Sequence, residues 1–305
     1  MVTKAGHVHA EEARHRNWRG EDLLEKGIDF DLQDVDKNEE KVLYLKGKEP
    51  KSETGIDDTN AVCLYDLTTG KEEILTKSVP NGEFTDAKFS PKEDKIALIG
   101  SDYEDFSATA YNLYLYETES QELTNITPSK DLEVGYGHTV DSNFNSGRSK
   151  VGGLWLTNDR YLFHSYHNGH SQLYIWSKSC TQLIDDQHRD VYDFAKANEN
   201  ELIIMVLTTE KPSELRRFTI QNGEDELLYN PNEDYEKSHD YAQVERFTLP
   251  SRDKKYELEG RLPKALTAKE KAPLILYIHG GAHDAYGDTF FHEFQALANE
   301  GYTTC

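Results

Sequence analysis

Two sequence patterns recur along most of the chain and constrain its fold more than any other feature. In the first pattern, an apolar residue precedes a polar turn and an apolar strand. FSPKEDKIALIG has this form from Phe89, and VDKNEEKVLYL repeats it from Val35, 54 residues earlier. FAKANENELIIMVL from Phe194 is a third copy, and LTNDRYLFHSY from Leu156 is a shortened one. Such a period predicts a fold built from repeated supersecondary units.

The second pattern is a strand, a polar turn and another short strand. It occurs at 62–76, at 113–127 (51 residues later), at 173–184 with a shorter turn, and at 215–229. Residues on the two faces of these strands alternate, as in half-buried sheets. Together the patterns give four short strands in about 40–55 residues, which is typical of a β-propeller blade. We therefore predict a mostly β chain in which residues 28–240 form a propeller with about four recognisable blades: 28–76, 84–127, about 133–184 and 190–229.

Composition and charge disfavour several classes of protein. The sequence carries 34 lysines and arginines against 56 aspartates and glutamates, a formal charge of −22, so nucleic-acid phosphates are repelled. No apolar run approaches the ~20 residues of a membrane helix, and the first residues lack a secretory signal pattern. Three scattered cysteines are too few for a disulfide framework or a zinc site. We expect a cytoplasmic protein without nucleic-acid or membrane partners, with residues 1–27 as a tail or partial blade.

Residues 241–305 break the repeat and predict a second kind of fold. Two strands are expected at 244–249 and 256–262, joined by a charged turn. After a polar linker, residues 274–278 (LILYI) form a continuous apolar run. Such a run is typical of a strand that is covered on both faces.

The sequence HGGAHDAYG follows this run directly, and an amphipathic helix comes after it. We expect Asp288 or Thr289 to cap the helix and Gly301 to end it. Tyr302 and Thr303 would begin a further strand. Strand, His-Gly-Gly loop and helix are the elements at the front of an α/β-hydrolase sheet, so this region predicts the start of such a domain.

Gly280 and Gly281 give this loop a possible catalytic role. Glycines let the backbone approach a substrate closely, and acyl transfer needs backbone N–H donors aimed at the developing oxyanion. In lipases and esterases, one such donor lies in this kind of loop. The alternative interpretation is a tight turn between strand and helix.

A propeller followed by PLILYIHGGAHDAYGDTFFHEFQALANEGY resembles the prolyl oligopeptidase family of serine peptidases, and its acylaminoacyl-peptidase-like branch most closely. The phrase FSPKEDKIALIG resembles a blade motif of the same propellers. The branch has the motif HGGPH followed by Tyr-Gly, and six residues of this sequence fit it: His279, Gly280, Gly281, His283, Tyr286 and Gly287.

The resemblance implies a peptidase that hydrolyses small peptides or acyl-peptides through a Ser-Asp-His triad, without cofactor or metal. It implies that the N–H of Gly281 is an oxyanion donor and that Gly280 and His279 shape the loop. His283 and Tyr286 would line the entrance of the site or pack beneath it.

The sequence departs from the family pattern in two ways. The usual proline of the motif is Ala282, a change that restores a backbone N–H. No G-x-S-x-G occurs in the 305 residues, and the nearest candidate, residues 147–151, lacks the closing glycine. The nucleophile, acid and base are therefore absent, and we expect a fragment of a peptidase that is inactive alone.

Three functions remain open at this point. The chain could be the N-terminal part of a serine peptidase, or one of two complementary chains of which the other carries the triad. It could also be a non-catalytic, propeller-type module that binds proteins or peptides. The DNA that follows the codon of Cys305 distinguishes these alternatives, because a nucleophile elbow encoded there favours a peptidase.

Other polar groups have simpler interpretations. Two histidine groups could bind a metal, although their rings need not converge: His164, His167 and His170, and His7, His9 and His15. Arg216 and Arg217 are adjacent on a predicted strand, so at most one faces a propeller channel, where it could meet a substrate carboxylate. A loop with Asp102, Glu104 and Asp105 could hold a substrate amino group, but a blade-edge loop accounts for it equally.

Overall fold

The computed structural model describes residues 30–47, 59–128, 132–135, 138–139, 152–167, 169–185, 187–267, 271–278 and 285–305. Four sheets of consecutive strands follow one another along the chain, so each predicted blade forms from a continuous stretch of sequence. The first sheet contains β1 (Phe30–Val35), β2 (Lys41–Gly47), β3 (Asn60–Asp66) and β4 (Glu72–Ile74). The second contains β5 (Glu83–Phe89), β6 (Lys95–Ser101), β7 (Asn112–Glu117) and β8 (Glu122–Asn125), with a 3-10 turn at Phe106–Ala108.

The third sheet has one strand more than the others. It contains β11 (Gly153–Thr157), β12 (Arg160–His167), β13 (His170–Ser177) and β14 (Cys180–Leu183), and β9 (Glu133–Val134) pairs with β12. The fourth contains β15 (Asp190–Lys196), β16 (Glu201–Leu207), β17 (Glu214–Thr219) and β18 (Asp225–Tyr229). The predictions of a mostly β chain and of four blades are confirmed.

The turn between the first two strands of a blade repeats in atomic detail. Asp36 and Ser90 occupy positions 54 residues apart, and each side chain accepts a hydrogen bond from the backbone N–H of a lysine five residues later, at 2.6 and 3.1 Å. The left-handed residues of the two turns are Glu39, with φ 55°, and Glu93, with φ 62°. The polar residues of the repeat therefore encode one turn geometry twice.

The second repeat also preserves its hydrogen bonds. Thr76 and Thr127 lie 51 residues apart, and the hydroxyl oxygen of each accepts a bond from a buried backbone N–H. The donors are Val62, at 3.2 Å, and Leu113, at 2.9 Å. Equivalent threonines thus close equivalent ends of the first and second blades.

The described residues fall into two compact units. The first lies within residues 1–135, 152–165 and 174–183, and the second within 136–151, 166–173 and 184–305. The fourth sheet clusters with the residues that follow it, so the boundary expected at residue 240 stays a prediction. All three cysteines are free thiols, and no helix in the described ranges is long and apolar enough to cross a membrane.

Two apolar clusters stabilise the first unit. One lies between the first and second sheets, and its fully buried members include Leu43, Val62, Ala87, Ile96 and Leu98. The other joins the second sheet to the third through Ile99, Leu113, Trp155, Tyr161 and Phe163. The first three sheets therefore bury faces against one another, as the stacking of repeats requires.

Asp86 is a buried carboxyl at the centre of the first unit. Its Oδ2 accepts a hydrogen bond from the backbone N–H of Gly153 at 3.2 Å, and Lys88 lies 3.7 Å away. Burial raises the pKa of Asp86 to about 6, against the opposing charge of Lys88. A folded-state pKa above the unfolded value means that protonation of Asp86 stabilises the fold at low pH. This stabilisation is lost as the pH rises through about 6.

We expect Asp86→Asn to gain in relative stability as the pH rises. The free energy of unfolding of the variant minus that of the wild type should increase by about 2 kcal/mol between pH 4 and pH 7, because the amide does not ionise. Urea unfolding at a series of pH values measures this difference. Asp105→Asn, at an exposed position, is the control and should show no comparable trend; equal trends in the two variants would contradict the assignment.

The second unit continues from the fourth sheet into shorter elements. A helix, α1 (Glu233–Ser238), precedes an antiparallel hairpin of β19 (Val244–Pro250) and β20 (Glu257–Pro263). The remaining elements are β21 (Leu274–Ile275), β22 (Ala285–Tyr286), α2 (His292–Asn299) and β23 (Thr303–Thr304), and β10 (His138–Thr139) pairs in parallel with β22. A buried cluster of Tyr192, Leu207 and Phe290 packs the fourth sheet against the residues before α2.

The end of the chain forms a parallel strand–helix–strand unit. β21 pairs in parallel with β23, with Leu274 opposite Thr303, and α2 lies between them in sequence. The expected hairpin is confirmed, and Gly301 ends the helix with φ 90°. The further strand predicted after Tyr302 is β23.

Two predictions for this region need correction. The run 274–278 is predicted to be a strand covered on both faces, but Leu274, Leu276 and Ile278 are 61%, 67% and 78% exposed. Its parallel pairing with β23 covers Leu274–Ile275, and Cys305 adds backbone hydrogen bonds to Ile275 and Tyr277. The N-cap of α2 is Phe291, and no side chain caps the helix. Asp288 and Thr289 lie upstream of it, and the Asp288 carboxylate has other partners.

Candidate functional site

Most of the predicted oxyanion loop lies outside the residues that the structure describes. This applies to His279, Gly280, Gly281 and His283, so their roles stay predictions. Tyr286 is described, at the end of β22, where its side chain is partly buried. The structure therefore gives the two flanks of the loop: β21 before it, and residues 285–291 after it.

Tyr286 belongs to an aromatic cluster on these flanks. Its ring centroid lies 5.0 Å from that of Phe291, 5.9 Å from that of Phe294 and 6.2 Å from that of Tyr277. Tyr277 donates a hydrogen bond from its hydroxyl to Glu293 at 3.2 Å, and this bond raises the pKa of the phenol. Of the two roles expected for Tyr286, these contacts favour packing.

An apolar cavity of about 500 Å³ lies beside this cluster. Its walls include Phe247 and Leu258 of the hairpin and the rings of Tyr277, Phe291 and Phe294. Leu249 and Leu258 are each 54% exposed.

Asp288 is the centre of a buried charged cluster. Its side chain is 2% exposed and contacts His170 of β13, Arg246 of β19 and Arg261 of β20, the last at 3.4 Å. Its backbone N–H donates to the carboxylate of Asp190 at 3.2 Å. Burial by itself raises the pKa of Asp288, but the hydrogen bond and charge of His170, followed by the Arg246 guanidinium, hold this pKa below its usual value. Asp288 is therefore ionised, and it ties the segment after the loop to three strands.

Sequence reasoning missed this cluster. The spacing of the sequence groups His170 with His164 and His167, whereas its side chain contacts His188 and Asp288, the latter 118 residues away. His164 is a buried residue of β12, and the side chain of His167 lies outside the described part, as do His7, His9 and His15. The sequence carries no local signal for residues that meet only through tertiary packing.

The two arginines of β17 have separate ion-pair partners. Arg216 contacts Glu214 at 2.7 Å and Asp225 at 2.8 Å, and Asp225 also contacts Arg189. Although burial raises the pKa of Asp225, its bonds to Arg189 and Arg216 lower it overall. Arg217 is exposed and pairs with Glu226 at 3.5 Å. Both arginines are therefore paired with carboxylates of this chain, which favours a structural role over binding of a substrate carboxylate.

The acidic loop of the second sheet is exposed. Asp102 accepts a bond from the backbone N–H of Glu104 at 3.2 Å, and Asp105 donates its own N–H to Thr109 at 2.8 Å. Its side chains organise the loop itself, which is the arrangement expected of a blade-edge connection.

Comparisons of sequence and of structure with known proteins both find peptidases. No protein-family profile matches the sequence. An uncharacterized peptidase of Bacillus subtilis (strain 168), YuxL, is 30% identical over 202 residues, which cover 64% of this chain and 30% of that protein. The acylaminoacyl peptidase of Pyrococcus horikoshii superposes with a TM-score of 0.66 at 23% identity, over 87% of this chain and 37% of that one. An acylaminoacyl peptidase in complex with Z-Gly-Gly-Phe-chloromethyl ketone gives a TM-score of 0.67 at 23% identity, over 89% and 38%.

These similarities confirm the resemblance that the sequence indicates. The structural likeness establishes the fold, that of an acylaminoacyl-peptidase propeller and the elements that follow it. The chain spans 30% of the length of the bacterial relative and 37–38% of the two solved chains. What those proteins contain beyond this span is not represented in the 305 residues.

Proposed function

We propose that this chain is the propeller and the front of the hydrolase domain of a serine peptidase that cleaves small peptides or acyl-peptides. In this proposal, Gly281 donates its N–H to the oxyanion, while Gly280 and His279 shape the loop. Polypeptide outside the 305 residues supplies the serine, aspartate and histidine. The chain alone does not hydrolyse peptides.

The parallel pairing of β21 with β23 is the observation that carries the proposal. A strand, a loop that contains His-Gly-Gly, a helix and a second parallel strand are the elements that precede the nucleophile in an α/β-hydrolase. Parallel strands occur almost only in sheets that are covered on both faces, yet Leu274, Leu276 and Ile278 are exposed. The apolar cavity and this exposed edge are the surface on which the remaining strands and helices would pack.

The relatives support a peptide as the substrate. The Bacillus protein is named a peptidase, and one of the solved acylaminoacyl peptidases holds a peptide chloromethyl ketone. In the family that the sequence resembles, the propeller caps the hydrolase domain and restricts access to small peptides, and we propose the same restriction here.

A chimera tests the proposal. The 305-residue chain, and the same chain followed by the remainder of the Bacillus relative, are assayed with an N-acylated peptide p-nitroanilide and with a fluorophosphonate probe. We expect no hydrolysis and no labelling of the chain alone. The chimera should hydrolyse the substrate and be labelled at a single serine.

Two results would contradict the proposal. Hydrolysis by the chain alone, titrated by the fluorophosphonate, would show that the 305 residues contain their own nucleophile. A folded chimera that binds acyl-peptides without hydrolysing them would favour the alternative, a non-catalytic binding module.

A further inference from the structure

Two imidazoles and a carboxylate meet at the mouth of a second cavity in the second unit. Nδ1 of His170 hydrogen-bonds to Asp288, and Nε2 of His170 lies 3.1 Å from Nδ1 of His188. One ligand atom from each of the three residues lies within 4.8 Å of the others. His170 and Asp288 are buried, whereas His188 is exposed and faces solvent.

The hydrogen bond to Asp288 fixes the chemistry of His170. Metal binding requires the neutral imidazole, and in that form donation from Nδ1 to Asp288 leaves the lone pair on Nε2, the atom that faces His188. A carboxylate behind a histidine in this way is the usual outer partner of a metal-binding imidazole, because it orients the ring and raises its basicity. The separation of 3.1 Å between the facing nitrogens also suits two ligands of one ion with metal–nitrogen bonds of about 2.0–2.1 Å.

We propose that His170 Nε2 and His188 Nδ1 bind one divalent transition-metal ion of the Zn²⁺ type, with Asp288 orienting His170. The cavity beside them measures about 510 Å³ and is also lined by Gln172 and Glu259. Water fills the remaining positions of a tetrahedral site. The proposal requires no metal in the peptidase reaction.

The neighbouring charges permit a cation here. Arg246 is paired with Asp288, so its charge is already offset. Its two terminal nitrogens lie 3.1 and 3.3 Å from the two ring nitrogens of His170, consistent with a guanidinium laid against the face of the ring. The rings of His170 and His188 are tilted by 51° with their centroids 4.8 Å apart. An ion bound to both facing nitrogens would take the place of the direct His170–His188 contact. Arg261 is likewise balanced by Glu259, at 3.3 Å, and by Asp288.

Zinc titration of the full chain without an affinity tag tests the proposal. All proteins carry His7→Ala, His9→Ala and His15→Ala, so that the N-terminal histidines cannot contribute. Isothermal titration with ZnCl₂ should give one ion per chain, and Co²⁺ should give the visible absorption of a tetrahedral site. His188→Ala changes an exposed residue and should fold normally, lowering the Zn²⁺ affinity at least about tenfold and abolishing the Co²⁺ spectrum.

Matched variants complete the design. His239→Ala removes another exposed histidine, one that stacks on Tyr235, and should leave Zn²⁺ affinity unchanged. His188→Cys supplies a thiolate ligand and should restore binding. Equal Zn²⁺ affinity in the parent and in His188→Ala, or an equal loss in His239→Ala, would overturn the proposal. The contact between His170 and His188 would then be a hydrogen bond only.

Discussion

Replacing Gly281 by proline is expected to reduce kcat of the chimeric peptidase by about 10²–10³-fold, with a much smaller change in KM. Proline has no backbone N–H, so the variant loses the donor assigned to the oxyanion. The donor acts on charge that develops in the transition state, which is why the loss should fall on kcat. Steady-state kinetics with an N-acylated peptide substrate give both parameters.

Two neighbouring changes separate the loss of a donor from damage to the loop. Ala282→Pro introduces the residue that the related branch has at this position, and activity should stay within a few fold of the parent chimera. Gly281→Ala keeps the N–H and should lose much less than Gly281→Pro. Equal losses from Gly281→Pro and Ala282→Pro would remove the oxyanion assignment and leave only a structural role for the loop.

Asp288→Asn is expected to lower the free energy of unfolding of the second unit by about 3 kcal/mol. The carboxylate lies among His170, Arg246 and Arg261, and an amide would leave two guanidinium groups without their shared counter-charge. Removing one partner of a buried ion pair costs about 3–5 kcal/mol. The lower end applies here, because the Arg246 side chain is 32% exposed.

Hydrogen exchange of the backbone amides in β15–β20, followed in increasing urea, measures this loss within the second unit. Tryptophan fluorescence is unsuitable for the purpose, because Trp155 and Trp176 both lie in the first unit. Asp253→Asn is the control, since Asp253 lies in the exposed turn of the hairpin, and the change should alter stability by less than about 0.5 kcal/mol. A similar small effect at Asp288 would mean that solvent screens the cluster.

The sequence was most informative where hydrogen bonds are local. Asp36 and Ser90 close turns with residues at most five positions away, so residue type and spacing were enough to predict them. The same holds for Gly301, which ends α2 in the left-handed conformation that glycine adopts without strain.

Prediction failed where partners come from distant strands. Asp288 is a residue type that favours helix N-caps, and it lies shortly before α2. Its carboxylate is instead bound by side chains of β13, β19 and β20. No rule on helix ends accounts for such competition. The apolar run 274–278 is typical of a covered strand, yet Leu274, Leu276 and Ile278 are exposed. Whether an apolar run is covered depends on what packs against it as much as on its own residues.

The parallel pairing of His138–Thr139 with Ala285–Tyr286 has a consequence for synthesis on the ribosome. The first two sheets are continuous in sequence and have low contact order, so they can form while translation continues. β10 has to wait until most of the chain has been made before its partner strand emerges. We therefore expect folding in two kinetic phases, with early protection of β1–β8 and late protection of the segments that meet β22.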